Sequence, residues 1–155
     1  MLLSALLLIP FAGTLALLLW PGSPTPLRLR QITIATLALQ LSLSVVAALQ
    51  FDPSLPGLQL QEHHSWIPGI GLDYALGVDG LSLPLVLING ALTLVSAVIT
   101  RDIDKRPRIY FAMLLLISGA VNGAFVADNL LLFFLFYELE LIPLWLLISV
   151  WGGVN

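Results

Sequence analysis

The chain has 155 residues, of which 59% are hydrophobic and only 10% are charged, with a net charge of -3. Soluble domains carry about 25% charged residues, so the polar surface is too small for a water-soluble globule, and we expect lipid to be the solvent for much of the chain. No basic patch is visible, which argues against a nucleic-acid partner. The absence of cysteine from the sequence excludes disulfides and thiolate ligands for iron–sulfur clusters.

Five apolar stretches are long enough to cross a bilayer about 30 Å thick, and each can satisfy its backbone only as a helix. The first is expected to be a span and not a signal peptide, because it lacks a positively charged start and leads into the turn sequence Pro21-Gly22-Ser23-Pro24. The predicted fold is all-α: a polytopic membrane helix bundle forming a single domain over residues 1–155, with spans at 2–20, 31–51, 81–100, 109–127 and 129–151.

The basic residues predict how the chain is oriented. All six Lys and Arg residues lie in the segments 21–30 and 101–108, whereas loop 52–80 has none and carries four acidic residues. Positively charged loops stay on the cytoplasmic side of a membrane. We therefore expect the N-terminus and loop 52–80 on the outer, lumenal side and the C-terminus inside.

Loop 52–80 has Gly and Pro residues around short apolar pairs, a pattern that indicates turns and a small β-hairpin. Its adjacent residues His63 and His64 are the only histidines in the sequence, and without cysteine beside them we interpret them as solvated loop residues and not as metal ligands. At the end of the loop, Asp79 is expected to cap the free amides of the third helix.

Two carboxylates, Glu138 and Glu140, lie in the last apolar stretch. At about 1.5 Å per residue, Glu138 is roughly 14 Å from the start of the span, near the middle of the membrane. An ionised carboxylate at this depth costs at least about 2.5 kcal/mol, and such groups are usually retained for an ion path, a proton relay or a partner charge. The simpler alternative is hydrogen bonding between helices. Two residues apart is about 200° around a helix, so the pair cannot share one narrow face.

Pro143 follows the two acids and is expected to kink this helix, because it cannot donate a hydrogen bond to the carbonyl of Leu139. A broken helix beside a buried acid is a feature of transport sites. The other four spans offer no Lys or Arg as a partner cation, so a partner must come from outside this sequence. The remaining polar residues of the spans fit ordinary helix–helix hydrogen bonding; they are Asn89, Thr93, Ser96, Ser118 and Asn122.

Two motifs resemble a known family. The runs GVDGLSLP at 77–84 and FYELELIP at 136–143 are similar to the chain 4 membrane subunit (NdhD) of the cyanobacterial and plastid NAD(P)H–plastoquinone oxidoreductase, which is the counterpart of the antiporter-like NuoM subunit of respiratory complex I. The likeness extends over essentially the whole chain and is strongest to the variants used in carbon dioxide uptake. It implies that Glu138 is the family's essential helix-5 glutamate, paired with a lysine on a later helix in a proton channel, and that Glu140 is a second acid common in the cyanobacterial type.

The same resemblance implies that the chain is the N-terminal third of a longer subunit and that it binds no cofactor or metal itself. Plastoquinone, NAD(P)H or ferredoxin, and iron–sulfur clusters would lie elsewhere in the complex. The implied partners are the NdhF-like and NdhB-like antiporter subunits and membrane lipid, in a cyanobacterial thylakoid membrane. The leading hypothesis is a proton-translocating subunit of this oxidoreductase. Two alternatives stay open: a cation/proton antiporter subunit without electron transfer, and a truncated structural subunit that transports nothing.

Overall fold

The structure, a computed structural model, describes residues 1–153. It contains five long helices and one antiparallel hairpin. In chain order the elements are α1 (Leu2–Leu19), α2 (Pro26–Gln50), β1 (Gln59–Ile67), a 3-10 turn (Pro68–Ile70), β2 (Leu72–Val78), α3 (Ser82–Ile99), α4 (Pro107–Val126) and α5 (Leu130–Trp151). All five helices are long and apolar enough to cross a membrane, as predicted, and the hairpin in loop 52–80 is also confirmed.

Helix α2 begins at Pro26, five residues earlier than the sequence pattern predicts. Thr25 explains the difference, because its hydroxyl accepts a hydrogen bond from the Arg28 amide at 3.3 Å and Pro26 has the backbone angle suited to the first helical position. Arg30 consequently lies on the helix, where its guanidinium donates to the carbonyls of Ala97 and Val98 at the end of α3. The other helix ends differ from the predicted ones by at most two residues.

Helix α4 is the centre of the bundle and contacts all four other helices. Glycines permit this close packing. A Cβ at Gly119 would lie 3.1 Å from Pro10 of α1, and one at Gly123 would lie 2.4 Å from the ring of Phe136 on α5. The motif Gly119-x-x-x-Gly123 therefore forms the seams of α4 with α1 and with α5.

The hairpin covers one end of the bundle. Glu62 of β1 joins it to α1, because its two carboxylate oxygens accept hydrogen bonds from the Ser4 amide and the Ser4 hydroxyl, each at 2.9 Å. The Tyr74 hydroxyl lies 2.9 Å from the same Ser4 hydroxyl. On the other strand, the Ala75 carbonyl accepts a hydrogen bond from the Asp128 amide at 2.8 Å. The hairpin is thus bonded both to the start of α1 and to the turn before α5.

Candidate functional site

Helix α5 is held at both ends. The side-chain oxygen of Asn129 accepts hydrogen bonds from the amides of Leu131 and Leu132 at 3.1 Å, which caps the helix. The amide nitrogen of the same side chain donates to the Gly71 carbonyl in the hairpin at 2.9 Å. At the far end, the Trp151 indole donates to the Lys105 carbonyl at 2.8 Å. These contacts fix the position and rotation of the helix that carries the two acids.

One face of α5 packs against the bundle and the rest is exposed. The inward positions recur mostly at intervals of three and four residues, as expected for one side of a helix; they are Leu132, Phe136, Leu139, Glu140, Pro143, Leu146, Leu147, Val150 and Trp151. Of these, only Leu132 and Pro143 are fully buried. The remaining surface carries large apolar and aromatic side chains that no described residue covers.

The two glutamates lie on different sides of α5. Glu138 is exposed, and at about 100° per residue it is roughly 140° around the helix from the buried Pro143. Glu140 is half-buried and lies about 60° from Pro143. Within residues 1–153 neither carboxylate has a hydrogen-bond or ion-pair partner. Glu140 therefore borders the packed face, while Glu138 points away from the four other helices.

Glu138 lies eight residues into α5, roughly 12 Å from its start and about the middle of a 30 Å membrane. The helix runs unbroken from Leu130 to Trp151 through Pro143. Because proline has no amide hydrogen, the Leu139 carbonyl lacks its usual backbone donor four residues later. An acceptor is therefore left open on the helix between the two acids. The kink predicted at Pro143 stays a prediction.

Asp79 lies outside the helices, between β2 and α3. Its Oδ1 accepts hydrogen bonds from the amides of Ser82 at 2.7 Å and Leu81 at 2.9 Å, and the Ser82 hydroxyl accepts one from the Asp79 amide at 3.0 Å. The amide of Ser82, followed by that of Leu81, lowers the pKa of Asp79. This is the geometry of a helix cap, at the hairpin end of the bundle.

A layer of neutral polar side chains lies inside the bundle at nearly the depth of Glu138. Ser118 of α4 is its centre, because its hydroxyl lies 3.0 Å from the Gln40 amide of α2 and 3.2 Å from the Thr93 hydroxyl of α3. The hydrogen bonding predicted for Thr93 and Ser118 is confirmed. Ser96 differs, since its hydroxyl donates to the Leu92 carbonyl of its own helix. The participation of Gln40 in this layer was not predicted from the sequence. Its amide side chain, isolated in the middle of an apolar span, is the signal in the sequence that could have identified it.

Asn89 and Asn122 extend this layer toward the hairpin. The Asn89 amide nitrogen donates to the Ser118 carbonyl at 3.1 Å and to Asn122 Oδ1 at 2.8 Å. The Ser118 carbonyl can only accept, so it fixes which way Asn89 points, and Asn89 in turn fixes Asn122. The Asn122 Nδ2 group is buried and has no hydrogen-bond partner among residues 1–153. The layer holds no ionisable group and therefore cannot itself take up a proton.

Within residues 1–153, no group of three or more His, Asp or Glu side chains is placed to hold a metal ion. The histidines of the hairpin have other contacts. His63 Nε2 lies 3.4 Å from Asp73 Oδ2, and the His64 ring stacks on Tyr74 with the ring centres 6.2 Å apart.

The chain resembles known proteins over nearly its full length. It is 43% identical over 152 residues to NAD(P)H-quinone oxidoreductase chain 4 1 of Synechococcus sp. strain JA-2-3B'a(2-13), an alignment that covers 97% of this chain and 28% of the relative. It is 49% identical over 104 residues to chain 4 2 of the same enzyme from Microcystis aeruginosa strain NIES-843, covering 67% of this chain and 19% of the relative. The alignments thus span between about a fifth and little more than a quarter of these relatives' own length.

The fold of the chain is also similar to that of a solved structure. One chain of respiratory complex I from Thermus thermophilus with bound NADH matches with a TM-score of 0.77 and 27% identity, covering 99% of this chain and 30% of that chain. No family model matches the sequence. The shared helices, together with 43–49% identity to the two named relatives, agree with the resemblance noted in the two motifs. Over nearly its full length, this integral membrane protein is therefore similar to the N-terminal part of chain 4 of NAD(P)H-quinone oxidoreductases.

Proposed function

We propose that the chain is the N-terminal part of a proton-translocating subunit of a NAD(P)H- or ferredoxin-quinone oxidoreductase. Electron transfer takes place elsewhere in the complex, on NAD(P)H or ferredoxin, iron–sulfur clusters and plastoquinone. This subunit carries no redox chemistry; it moves protons through the membrane in response to quinone reduction. Its relatives' names support the enzyme class, and the proton-moving role is supported by the carboxylates of α5.

The observation that carries the proposal is the position of Glu138. It is an exposed carboxylate near mid-membrane with no partner in residues 1–153. In lipid such a group is costly when ionised, so a cation from another part of the subunit or complex must face it. A nearby positive charge favours the ionised acid, and withdrawing that charge favours protonation. Movement of the partner cation would thus load and unload a proton at Glu138.

Glu140 and Pro143 complete the proposed site. Glu140 lies about 3 Å further along the helix axis and borders the packed face. We assign it the second proton-carrying position, on the bundle side of α5. The free carbonyl of Leu139, which Pro143 leaves without a donor, is an acceptor between the two acids for a water molecule or a polar group of the partner.

The proposed orientation follows from the two ends of the bundle. The hairpin end has no Lys or Arg in residues 52–80, whereas all six basic residues lie at the opposite end. By the positive-inside tendency, the hairpin is lumenal and the basic end is cytoplasmic. We place the protein in the cyanobacterial thylakoid membrane beside NdhF-like and NdhB-like subunits, which would cover the outer faces of the helices.

Glu138→Gln tests the proposal, with Glu140→Gln as the matched variant on the same helix. Each is introduced into the native complex, and proton uptake by membrane vesicles is measured per quinone reduced. Glu138→Gln should abolish most of the proton yield because the amide cannot exchange a proton, and Glu140→Gln should reduce it less. Quinone reductase subunits should co-purify with both variants. Full proton yield from an assembled Glu138→Gln complex would rule out the role given to Glu138.

A further inference from the structure

The basic end of the bundle contains an open cavity. Its volume is about 400 Å³, and it is lined by the turn residues 22–24 between α1 and α2, by Leu29, and by residues 106–109 at the start of α4. This end carries all six basic residues, whereas the segment between α3 and α4 adds only two acidic residues, Asp102 and Asp104. The surroundings of the cavity are therefore strongly positive.

Two arginines of the cavity wall are available to an anion. The Arg108 guanidinium donates one hydrogen bond to the Gly22 carbonyl, at 2.5 Å. Its other donors have no acceptor within residues 1–153. The exposed Arg106 side chain has neither a hydrogen bond nor an ion pair within residues 1–153. No carboxylate of that range lies within ion-pair distance of either guanidinium. An unneutralised pair of guanidinium groups suits a phosphate or sulfonate, which each can bind through two parallel hydrogen bonds.

Another part of the wall is apolar and lies at the membrane boundary. Leu29, which is 1% exposed, and Ile109 sit where the apolar helices α2 and α4 begin. Close by, the Arg28 guanidinium lies 5.9 Å from the centre of the Trp20 ring, and tryptophan at the end of a membrane helix favours the headgroup level. The cavity therefore combines a cationic side with an apolar side at the level where lipid headgroups meet hydrocarbon.

We propose that this cavity binds the headgroup of an anionic glycerolipid, with its phosphate or sulfonate between Arg106 and Arg108 and its glycerol against Ile109. Basic pockets between helix ends on the cytoplasmic side are suited to such headgroups. A zwitterionic lipid fits less well, because its own cationic group would meet the surplus positive charge. The volume accommodates a headgroup and leaves the acyl chains along the helices in the bilayer.

The test uses the native complex, purified in detergent and washed in steps, with retained lipids counted by mass spectrometry. The variant is Arg106→Asn. Arg106 has a backbone φ of 49°, a left-handed conformation that asparagine tolerates well, so the substitution removes the charge without opposing the fold. Arg101→Asn is the control, because it removes the same charge from the same segment but does not line the cavity.

Wild type and Arg101→Asn should retain about one more anionic lipid per complex than Arg106→Asn, with no difference in zwitterionic or neutral lipid. Equal retention by all three complexes would overturn the proposal, and so would an equal loss in both variants, which would mean general charge attraction. Inorganic phosphate at millimolar concentration should not bind stoichiometrically to the washed complex. Stoichiometric phosphate binding with no retained lipid would assign the cavity to a soluble anion and contradict the lipid.

Discussion

Helices α4 and α5 have almost the same mean hydropathy but occupy opposite positions in the bundle. In the most apolar stretch of α4, 61% of the residues are buried, against 11% for α5. Inside lipid, hydrophobicity does not draw helices together, and small and polar residues decide which ones pack. Helix α4 carries Gly119, Gly123 and Ser118 on its contact faces, whereas α5 presents aromatic side chains and Glu138 outward. The comparison indicates that α4 organises this segment and that most of the α5 surface takes no part in the packing of residues 1–153.

The largest expected difference in stability is between two variants that each replace one phenylalanine by alanine, one in α4 and one in α5. Phe111 of α4 is 2% exposed, and Phe133 of α5 is 41% exposed. Phe111→Ala should lower the free energy of unfolding by roughly 3 kcal/mol, because a cavity is left among packed side chains. Phe133→Ala should leave this segment nearly as stable. Thermal unfolding and the steady-state level of the subunit in membranes measure both, and equal losses would contradict the comparison.

The next largest effect is expected from a substitution in the interface between α4 and α5. Gly123→Ala puts a methyl group 2.4 Å from the Phe136 ring, and overpacking of this kind costs about 1–3 kcal/mol. We expect α5 to move and proton yield to fall although Glu138 is unchanged. Gly69→Ala is the control, since a Cβ there meets nothing within 4 Å. Normal stability and proton yield in Gly123→Ala would show that the seam is looser than the structure indicates.

A smaller effect is expected from the polar layer. Ser118→Ala removes the hydroxyl that joins Gln40 to Thr93 and should cost about 1 kcal/mol or slightly more. Ser96→Ala removes a hydroxyl bonded only within its own helix and should change stability by less than about 0.5 kcal/mol. Thermal unfolding of the two variants distinguishes them. If the effects were equal, the layer would not join the helices energetically.

The smallest predicted effect concerns the hairpin and pH. Burial tends to raise the pKa of Glu62, but hydrogen bonds from Ser4, together with the nearby N-terminal amino group, outweigh it and hold the pKa below the ordinary 4.5. The stabilisation by these contacts of Glu62 is therefore fully present above pH 4.5. It is lost as the pH falls through the lowered pKa of Glu62 in the folded protein. After correction for the intrinsic exchange rate at each pH, the hydrogen-exchange protection of residues 59–78 should fall on acidification. In Glu62→Gln the change should be weaker, and an identical pH profile would exclude Glu62 as its source.

The sequence was sufficient for the number of helices and for the hairpin, because hydropathy and turn residues report on local structure. It missed the start of α2, since an N-cap at Thr25 extends a helix beyond its apolar stretch. It also left open which of the two acids borders the bundle; in the structure Glu140 is half-buried and Glu138 is exposed within the described residues. Periodicity separates the two faces of α5 but does not say which face another helix covers, because lipid and protein interior are both apolar.

The most direct test of the role of Glu138 is to identify the molecules that contact the outer face of α5. A photoreactive amino acid is placed at Leu141, which is 43% exposed and one turn from Glu138, and for comparison at the fully buried Leu115. After illumination of the native complex, mass spectrometry identifies the adducts. We predict that position 141 cross-links to protein outside these 155 residues, while position 115 cross-links only within them. Adducts to lipid alone at position 141 would mean that Glu138 faces the bilayer and would contradict its role in proton transfer.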